Sequence, residues 1–276
     1  MALRIHQNEG MSTAHAPVGT LLRDWRARRR LSQLELALEA DVSTRHLSFV
    51  ETGRSQPSRE MILKLADQLE IPLRERNALL LAGGYAPVYG EHALESPDLT
   101  RAREAVQRIL TGHQPYPAIA VDRHWNLLAF NQAIGPLLAG VDPELMQPPV
   151  NVLRLSLHPK GIAPRIGNLA EWRTHILQRL DRQIAQSGDP ELIALRQELA
   201  AYAAGAKNEP AQIDDLIVPL EIMTSSGVLR FFTTTTVFGT PLEITLSELA
   251  IESFFPADAA TAEILHQLGN SRPPSP

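Results

Sequence analysis

The residues with most scope for chemistry begin at FFTTTTVFGT, Phe231–Thr240, where four threonine hydroxyls stand in a row between aromatic side chains. Threonine, valine and phenylalanine favour a pleated, half-buried backbone, so the run reads as a strand. Alternation puts Phe231, Thr233, Thr235 and Val237 on one side and Phe232, Thr234, Thr236 and Phe238 on the other. Each face sets hydroxyls among apolar groups, an arrangement open to three readings: an active site, a binding wall, or an ordinary strand. A second polar group lies in LSLHPKG, where His158 sits beside Lys160 with Arg154 and Arg165 nearby. These side chains can hold an anion, or the histidine can cap a loop. Asp122, Arg123 and His124 are polar neighbours of the kind turns require.

No catalytic set assembles from these groups. The chain has no G-x-S-x-G elbow, no P-loop, no G-x-G-x-x-G after a strand, and no H-x-x-x-H or H-E-x-x-H among its nine histidines. An acid, a base and a nucleophile are not brought together by spacing, so the chain reads as a binding protein and not an enzyme. Zero cysteines exclude a disulfide framework, thiol catalysis, a cysteinyl flavin adduct and Cys-ligated zinc or iron–sulfur sites. No metal and no resident cofactor are expected.

The 276 residues suffice for two domains. No run of 18 apolar residues occurs and the first thirty residues lack a signal-peptide core, so the expectation is a cytoplasmic protein with no membrane partner. Charge is uneven. Residues 18–90 carry 11 basic and 9 acidic side chains, and residues 91–276 carry 14 and 21. The cations of the first part gather at Arg23, Arg26, Arg28, Arg29 and Arg30, a balance that permits nucleic-acid contact without establishing it.

The elements that must position these groups fall into two sets. From Val18 to about Ala82 the apolar spacing is helical, with helices expected over 18–29, 32–39, 43–51, 58–69 and 73–82. Ser32, Ser43 and Ser58 are N-cap candidates, and Pro72 suits a helix start. The expected boundaries are a loose 1–16, a first domain over 17–83, a linker over 84–99, a second domain over 100–268 and a tail over 269–276. In that second domain, strands are expected over 118–121, 125–130, 216–224, 228–238 and 243–254, with helices over 134–138, 168–186 and 191–203. Strands, then helices, then strands make an α+β domain with an antiparallel sheet.

Within LSQLELALEADVSTRHLSFVETGRSQPS, Leu31–Ser58, one helix turns Leu36 and Ala37 inward. A tight turn at Asp41 follows, and the next helix turns Val42, Leu47 and Val50 inward while showing Thr44, Arg45, Ser48 and Phe49 outward. That is a helix-turn-helix arrangement. The stretch closely resembles the lambda-repressor-like, or Xre-family, helix-turn-helix on Ser32-Gln33, Leu36-Ala37, Val42-Ser43 and Glu51-Thr52-Gly53-Arg54. Asp41 departs from the glycine usual in that turn, although aspartate tolerates positive φ. The resemblance implies a double-stranded DNA operator contacted by Ser32, Gln33, Ser43, Thr44, Arg45, Ser48, Phe49 and Arg54. Arg45 would read a base and Gln33 and Arg54 would hold phosphates. Phe49 has two readings, a thymine-methyl contact or packing on the fourth helix. Arg26 and Glu51 match an internal ion pair of the family. A helical protein-interaction domain is the alternative for this segment.

Farther along, RERNALLLAGGYAP, PYPAIAVDRHWNLLAFN, NVLRLSLHPKGIAPRIGN, Glu171-Trp172 and FFTTTTVFGTPLEITLSELAIESFFPAD resemble the MmyB-like regulators, in order and with the expected spacing from Val18 to Leu265. The implied architecture is an all-α five-helix lambda-repressor-like DNA-binding domain joined to an α+β PAS-like ligand-binding domain with a five-stranded antiparallel sheet. The cavity between sheet and helices would be walled by Ile119, Trp125, Leu127, Leu153, Trp172, Ile176, Leu220, Ile222, Phe231 and Ile244, with Thr233 and Thr235 on the same strand face as Phe231. The aliphatic walls suggest a fatty acid or similar hydrophobic effector, its carboxylate paired by Arg154, His158 or Arg165. Three functions compete: a ligand-gated homodimeric regulator, a regulator whose second half only binds protein or dimerises, and a DNA-tethered enzyme.

Overall fold

Three serines set the helix starts of the first unit. The computed structural model describes residues 16–202 and 218–270 and divides into Met1–Tyr89 and Gly90–Pro276. The first unit holds α1 (Val18–Arg28), α2 (Gln33–Glu39), α3 (Thr44–Glu51), α4 (Arg59–Gln68) and α5 (Leu73–Ala82). The hydroxyls of Ser32, Ser43 and Ser58 accept from the backbone N–H of Glu35, His46 and Met61, each satisfying a donor that a helix start leaves open. Glu35 answers Ser32 with a reciprocal bond, completing a capping box. Asp41 takes the left-handed conformation at φ 47° between α2 and α3, and Val42 N–H closes the turn on the Ala37 carbonyl at 2.9 Å. An aspartate thus does what glycine would do there.

Leu22, Leu36, Leu47, Ile62, Leu65 and Leu80 fill the centre of this unit, each worth roughly 1.5–3 kcal/mol relative to exposure. Gly19 lets α1 approach α3, for a Cβ there would lie 2.1 Å from the Val50 carbonyl oxygen. Beside that contact Arg26 binds the buried Glu51 carboxylate through Nε at 2.6 Å and Nη2 at 2.8 Å, and its Nη1 donates to the Leu31 carbonyl. Gln33 adds a third bond to Glu51 at 2.7 Å. The hydrogen bond from Arg26 to Glu51 raises the arginine pKa further. One carboxylate therefore ties α1 and α2 to the end of α3.

The stretch expected as a linker, 84–99, divides between the units. Asn77 Oδ1 accepts from the backbone N–H of Val88 and Tyr89, holding that end against α5. From Gly90 the chain belongs to the second unit, where the His92 N–H donates to Glu243 Oε1 and the Thr245 hydroxyl donates to the His92 carbonyl.

In the second unit, α6 (Thr100–Gly112) precedes the β1–β2 hairpin (Ala118–Val121, Leu127–Phe130), and α7 (Val152–Leu157), α8 (Leu169–Ser187) and α9 (Pro190–Ala201) follow. Then come β3 (Leu220–Thr224), β4 (Gly227–Val237), the short α10 (Ile244–Ser247), β5 (Ala250–Pro256) and α11 (Ala259–Asn270). The five strands form one antiparallel sheet in the order β2-β1-β5-β4-β3. The last strand therefore lies at the centre and joins the early hairpin to the late one. One face packs Val106 and Leu110 of α6 on Ala118, Ala120 and Ile251. The other packs α8 and α9 on Ile119, Ile222, Leu229 and Phe231.

Several sequence expectations are corrected. No strand spans 243–254: Pro241 lacks a ladder donor, Glu243 caps α10 by accepting from Leu246 N–H, and β5 starts only at Ala250. Trp125 and Asn126 belong to the hairpin turn, with β2 starting at Leu127. The helix over 134–138 is a 3₁₀ segment, Gln132–Leu138, that contains Pro136. The helices α6, α7 and α11 were not read from the sequence. The expected loose N-terminus up to residue 15, the start of the strand at 216–217 and the last six residues lie outside the described residues.

Because Glu51 is the point where three elements meet, Glu51→Ala leaves Arg26 without its counter-charge and should cost about 3 kcal/mol of stability. Urea unfolding of the full chain, followed by far-UV circular dichroism, measures this. A loss below about 1 kcal/mol would show that the first unit does not depend on the pair.

Candidate functional site

The outward side of α3 is built by what its other side buries. Leu47 and Val50 face the core, which leaves Ser43 and Arg45 exposed and Thr44, Ser48 and Phe49 half-buried. The Phe49 ring is not part of the hydrophobic cluster of this unit. Instead Arg45 and Arg54 lie over it, with their guanidinium carbons 5.4 and 6.0 Å from its centroid. Neither reading of Phe49 foresaw this: the aromatic ring is a platform carrying two guanidiniums on an exposed surface. Gly53, at φ 74°, turns the chain so that Arg54 returns towards α3. Ser32 and Ser43 use their oxygens as caps and keep a hydroxyl hydrogen to donate. Gln33 spends one amide hydrogen on Glu51.

A concavity lies between α8 and the sheet of the second unit. It has a volume of about 110 Å³ and mostly aliphatic and aromatic walls, on the scale of engineered apolar cavities that take a benzene-sized group. The register of the sheet decides which threonines face it. Thr233 pairs with Phe254 and Thr235 with Glu252 across β4 and β5, so these four share the side of Phe231. Thr234 and Thr236 turn to the opposite face.

From α8, Trp172, His175, Ile176 and Arg179 line one stripe of the cavity, following helical spacing. Trp172 donates from Nε1 to the Ser156 hydroxyl at 2.9 Å and stacks on His175 with centroids 5.5 Å apart. Arg179 reaches across to β5 and binds Glu252 through Nη1 at 3.1 Å and Nη2 at 2.6 Å. Thr235 accepts from Arg179 and donates to Glu252, both at 2.8 Å. The guanidinium carbon of Arg179 also lies 4.3 Å from the Trp125 ring centroid.

Trp125 is delivered by a strained turn. Its φ is 68°, a region that costs a bulky residue of order 1–3 kcal/mol. The turn is held by the Asp122 carboxylate, which accepts from the backbone N–H of His124 and Asn126, and Trp125 Nε1 donates to Gln183 at 2.9 Å. Burial lowers the pKa of His175, and the positive charges of Arg179 and Arg182 lower it further. The imidazole is therefore neutral at pH 7.

A family model for the MmyB-like transcription regulator ligand binding domain matches residues 102–268, more than half of the chain, and a helix-turn-helix model matches residues 22–76. The chain belongs to the MmyB-like transcription regulators. Both matched models describe binding domains: a helix-turn-helix DNA-binding module, then a ligand-binding domain that here contains the cavity. No curated protein matches the chain.

In this MmyB-like regulator, most of the wall expected from the sequence meets at one place. Ile119, Trp125, Leu127, Leu153, Trp172, Ile176, Leu220, Ile222 and Thr233 all line the cavity. Phe231 lies in the core beside it, its ring edge-on to Phe254, and Thr235 acts through Arg179 and Glu252. Ile244 does not reach the cavity, because α10 carries it to the segment around Gly90, whose carbonyl accepts from its N–H. The three expected anion-pairing groups are also absent from the lining. Arg154 is held by Glu198 through two bonds of 2.8 and 2.7 Å, and the Tyr202 hydroxyl, pushed up to about 12 by burial and by Glu198, donates to the same carboxylate. His158 stands edge-on to the Tyr202 ring. Arg165 donates to the Leu137 carbonyl, and burial lowers its pKa.

The polar lining groups missed are Ser156, His175, Arg179 and Glu252. Only their alternation and helical spacing gave any signal: Glu252 in AIESFF falls on the same strand side as Ala250 and Phe254, and Arg179 follows Trp172, His175 and Ile176 along one helix face. Among the described residues no cluster suited to a metal ion occurs, and no helix is long and apolar enough to cross a membrane.

On the DNA-binding module, Phe49→Ala should weaken duplex binding by about 1 kcal/mol, because each exposed cation–π contact is worth roughly 0.5–1 kcal/mol. Fluorescence anisotropy with an operator duplex measures it, with circular dichroism to show that the module stays folded. Unchanged affinity would mean that the platform does not orient Arg45 and Arg54.

Proposed function

We propose that this MmyB-like regulator binds a specific DNA operator through α3 and alters that binding when a small, largely apolar molecule enters the cavity beneath α8. The observation that carries the reading is the apolar cavity itself, lying within the residues that the ligand-binding family model matches. Apolar walls with a few placed polar groups suit a small organic molecule. An acyl or similarly aliphatic body fits those walls better than a polar metabolite does.

On the DNA side, Arg45 reads a base edge from the major groove while Thr44, Ser43 and Ser48 contact the groove beside it. Ser32, Gln33 and Arg54 hold phosphates and fix the register. One module of this size gives modest specificity, which favours a homodimer on half-sites about one helical turn apart. The effector can act only by binding the DNA-competent and incompetent states with different affinity.

Two measurements test this. Native mass spectrometry of the purified chain, followed by denaturing extraction, should reveal a bound hydrophobic molecule, and adding it back should change operator affinity at least fivefold. Ile176→Phe, which fills the cavity, should abolish that response while leaving basal operator binding intact. A clean mass together with no response to any added hydrophobic molecule would move the cavity domain to a protein-binding role. Separately, Arg45→Ala should lose about 1–3 kcal/mol of discrimination at a single operator position, read from a panel of single-base operator variants. Equal preference at every position would remove Arg45 from the base-reading set.

A further inference from the structure

The charged groups that reach the cavity are few and mutually engaged. Its lining holds three titratable side chains, His175, Arg179 and Glu252. Arg179 and Glu252 cancel each other through two direct bonds, and Thr235 bridges them. The Glu252 side chain is only 5% exposed, so its charge cannot be handed to water. Neither cation of the neighbouring segments lines the cavity: Arg154 is paired with Glu198, and Arg165 donates to the carbonyl of Leu137. Arg182, three residues past Arg179, is exposed and screened by solvent.

We infer that the molecule bound here carries an uncharged polar head, a hydroxyl, amide or ketone, on an apolar body, and that ionised carboxylates are excluded. The inference rests on the reading of the cavity as a small-molecule site and names the head group that site takes.

A carboxylate entering beside Arg179 would have to share the guanidinium with Glu252. Two carboxylates in one site repel until one is protonated, and displacing Glu252 would leave a buried charge unpaired. An ammonium head fares no better, since Arg179 opposes it and Glu252 already accepts from two partners. An uncharged head meets neither obstacle. Neutral His175 offers one donor and one acceptor, and no hydrogen bond to its ring nitrogens is formed by the described residues. The Thr233 hydroxyl stands on the same wall. The Ser156 oxygen already accepts from Trp172, which leaves its own hydrogen to donate. The polar groups of this cavity are thus hydrogen-bonding and net neutral.

The test compares three ligands of one chain length that suits the cavity, butan-1-ol, butanamide and butanoate, by isothermal titration calorimetry on the full chain at pH 7.5. Butanol and butanamide should bind at least tenfold tighter than butanoate. Glu252→Gln keeps one of the two bonds from Arg179 and leaves one net positive charge, so it should strengthen butanoate binding at least tenfold relative to butanol. A wild-type chain that binds butanoate as tightly as butanol overturns the inference, whether or not the variant folds. A folded variant that gains nothing for butanoate relative to butanol overturns it as well. If none of the three compounds binds, the small-molecule reading of the cavity fails and this inference goes with it, a result distinct from a wrong order among ligands that do bind.

Discussion

The second unit is organised around a carboxylate buried in the middle of its sheet. Glu252 lies on β5, the central strand of the sheet, so it cannot swing out to solvent at an edge. An unpaired charge at such a place is strongly destabilising, and its compensation has to come from elsewhere in the fold. Arg179 supplies it from α8, which fixes the rotation of that helix over the sheet. The same rotation brings Trp172, His175 and Ile176 to the cavity and sets Arg179 over the Trp125 ring. The polar end of the cavity follows from one demand for charge balance.

The first unit solves a similar problem in the same way. Glu51 is buried at the end of α3 and is met by Arg26 from α1 and Gln33 from α2. There the result is rigidity, because the carboxylate joins three helices and fixes the pitch at which α3 presents its outer face. In the second unit the corresponding pair lines the cavity. The buried pair of the first unit joins helices, whereas the pair of the second unit forms part of a cavity wall.

The difference between local and distant determinants explains what the sequence disclosed. The helices of the first unit were legible because their signals lie within four residues: a serine cap, an apolar stripe, a turn residue that tolerates positive φ. The buried Arg26–Glu51 pair was legible only through family resemblance, since nothing local joins positions 25 apart. In the second unit, alternation along β4 correctly grouped Thr233 and Thr235, and the register then turned that group towards the cavity. Arg179 and Glu252 were missed because they lie 73 positions apart and each looks like an ordinary surface charge in its own segment. Arg154 misled for the complementary reason: a cation in an apolar run invites a ligand, yet Glu198, 44 positions on, already holds it. The strand assigned to 243–254 failed on a capping carboxylate, Glu243, that composition does not distinguish from a strand residue.

Trp125 carries a consequence for how this protein can change over time. Its backbone occupies a region where glycine or asparagine would sit at lower cost. The ring, however, is buried in the core cluster, and deleting a buried tryptophan costs about 3–5 kcal/mol against about 1–3 kcal/mol of backbone strain. The same indole walls the cavity, carries Arg179 and donates to Gln183. Relief of strain alone therefore does not favour another residue here, and packing and cavity shape together hold position 125 to tryptophan across a lineage.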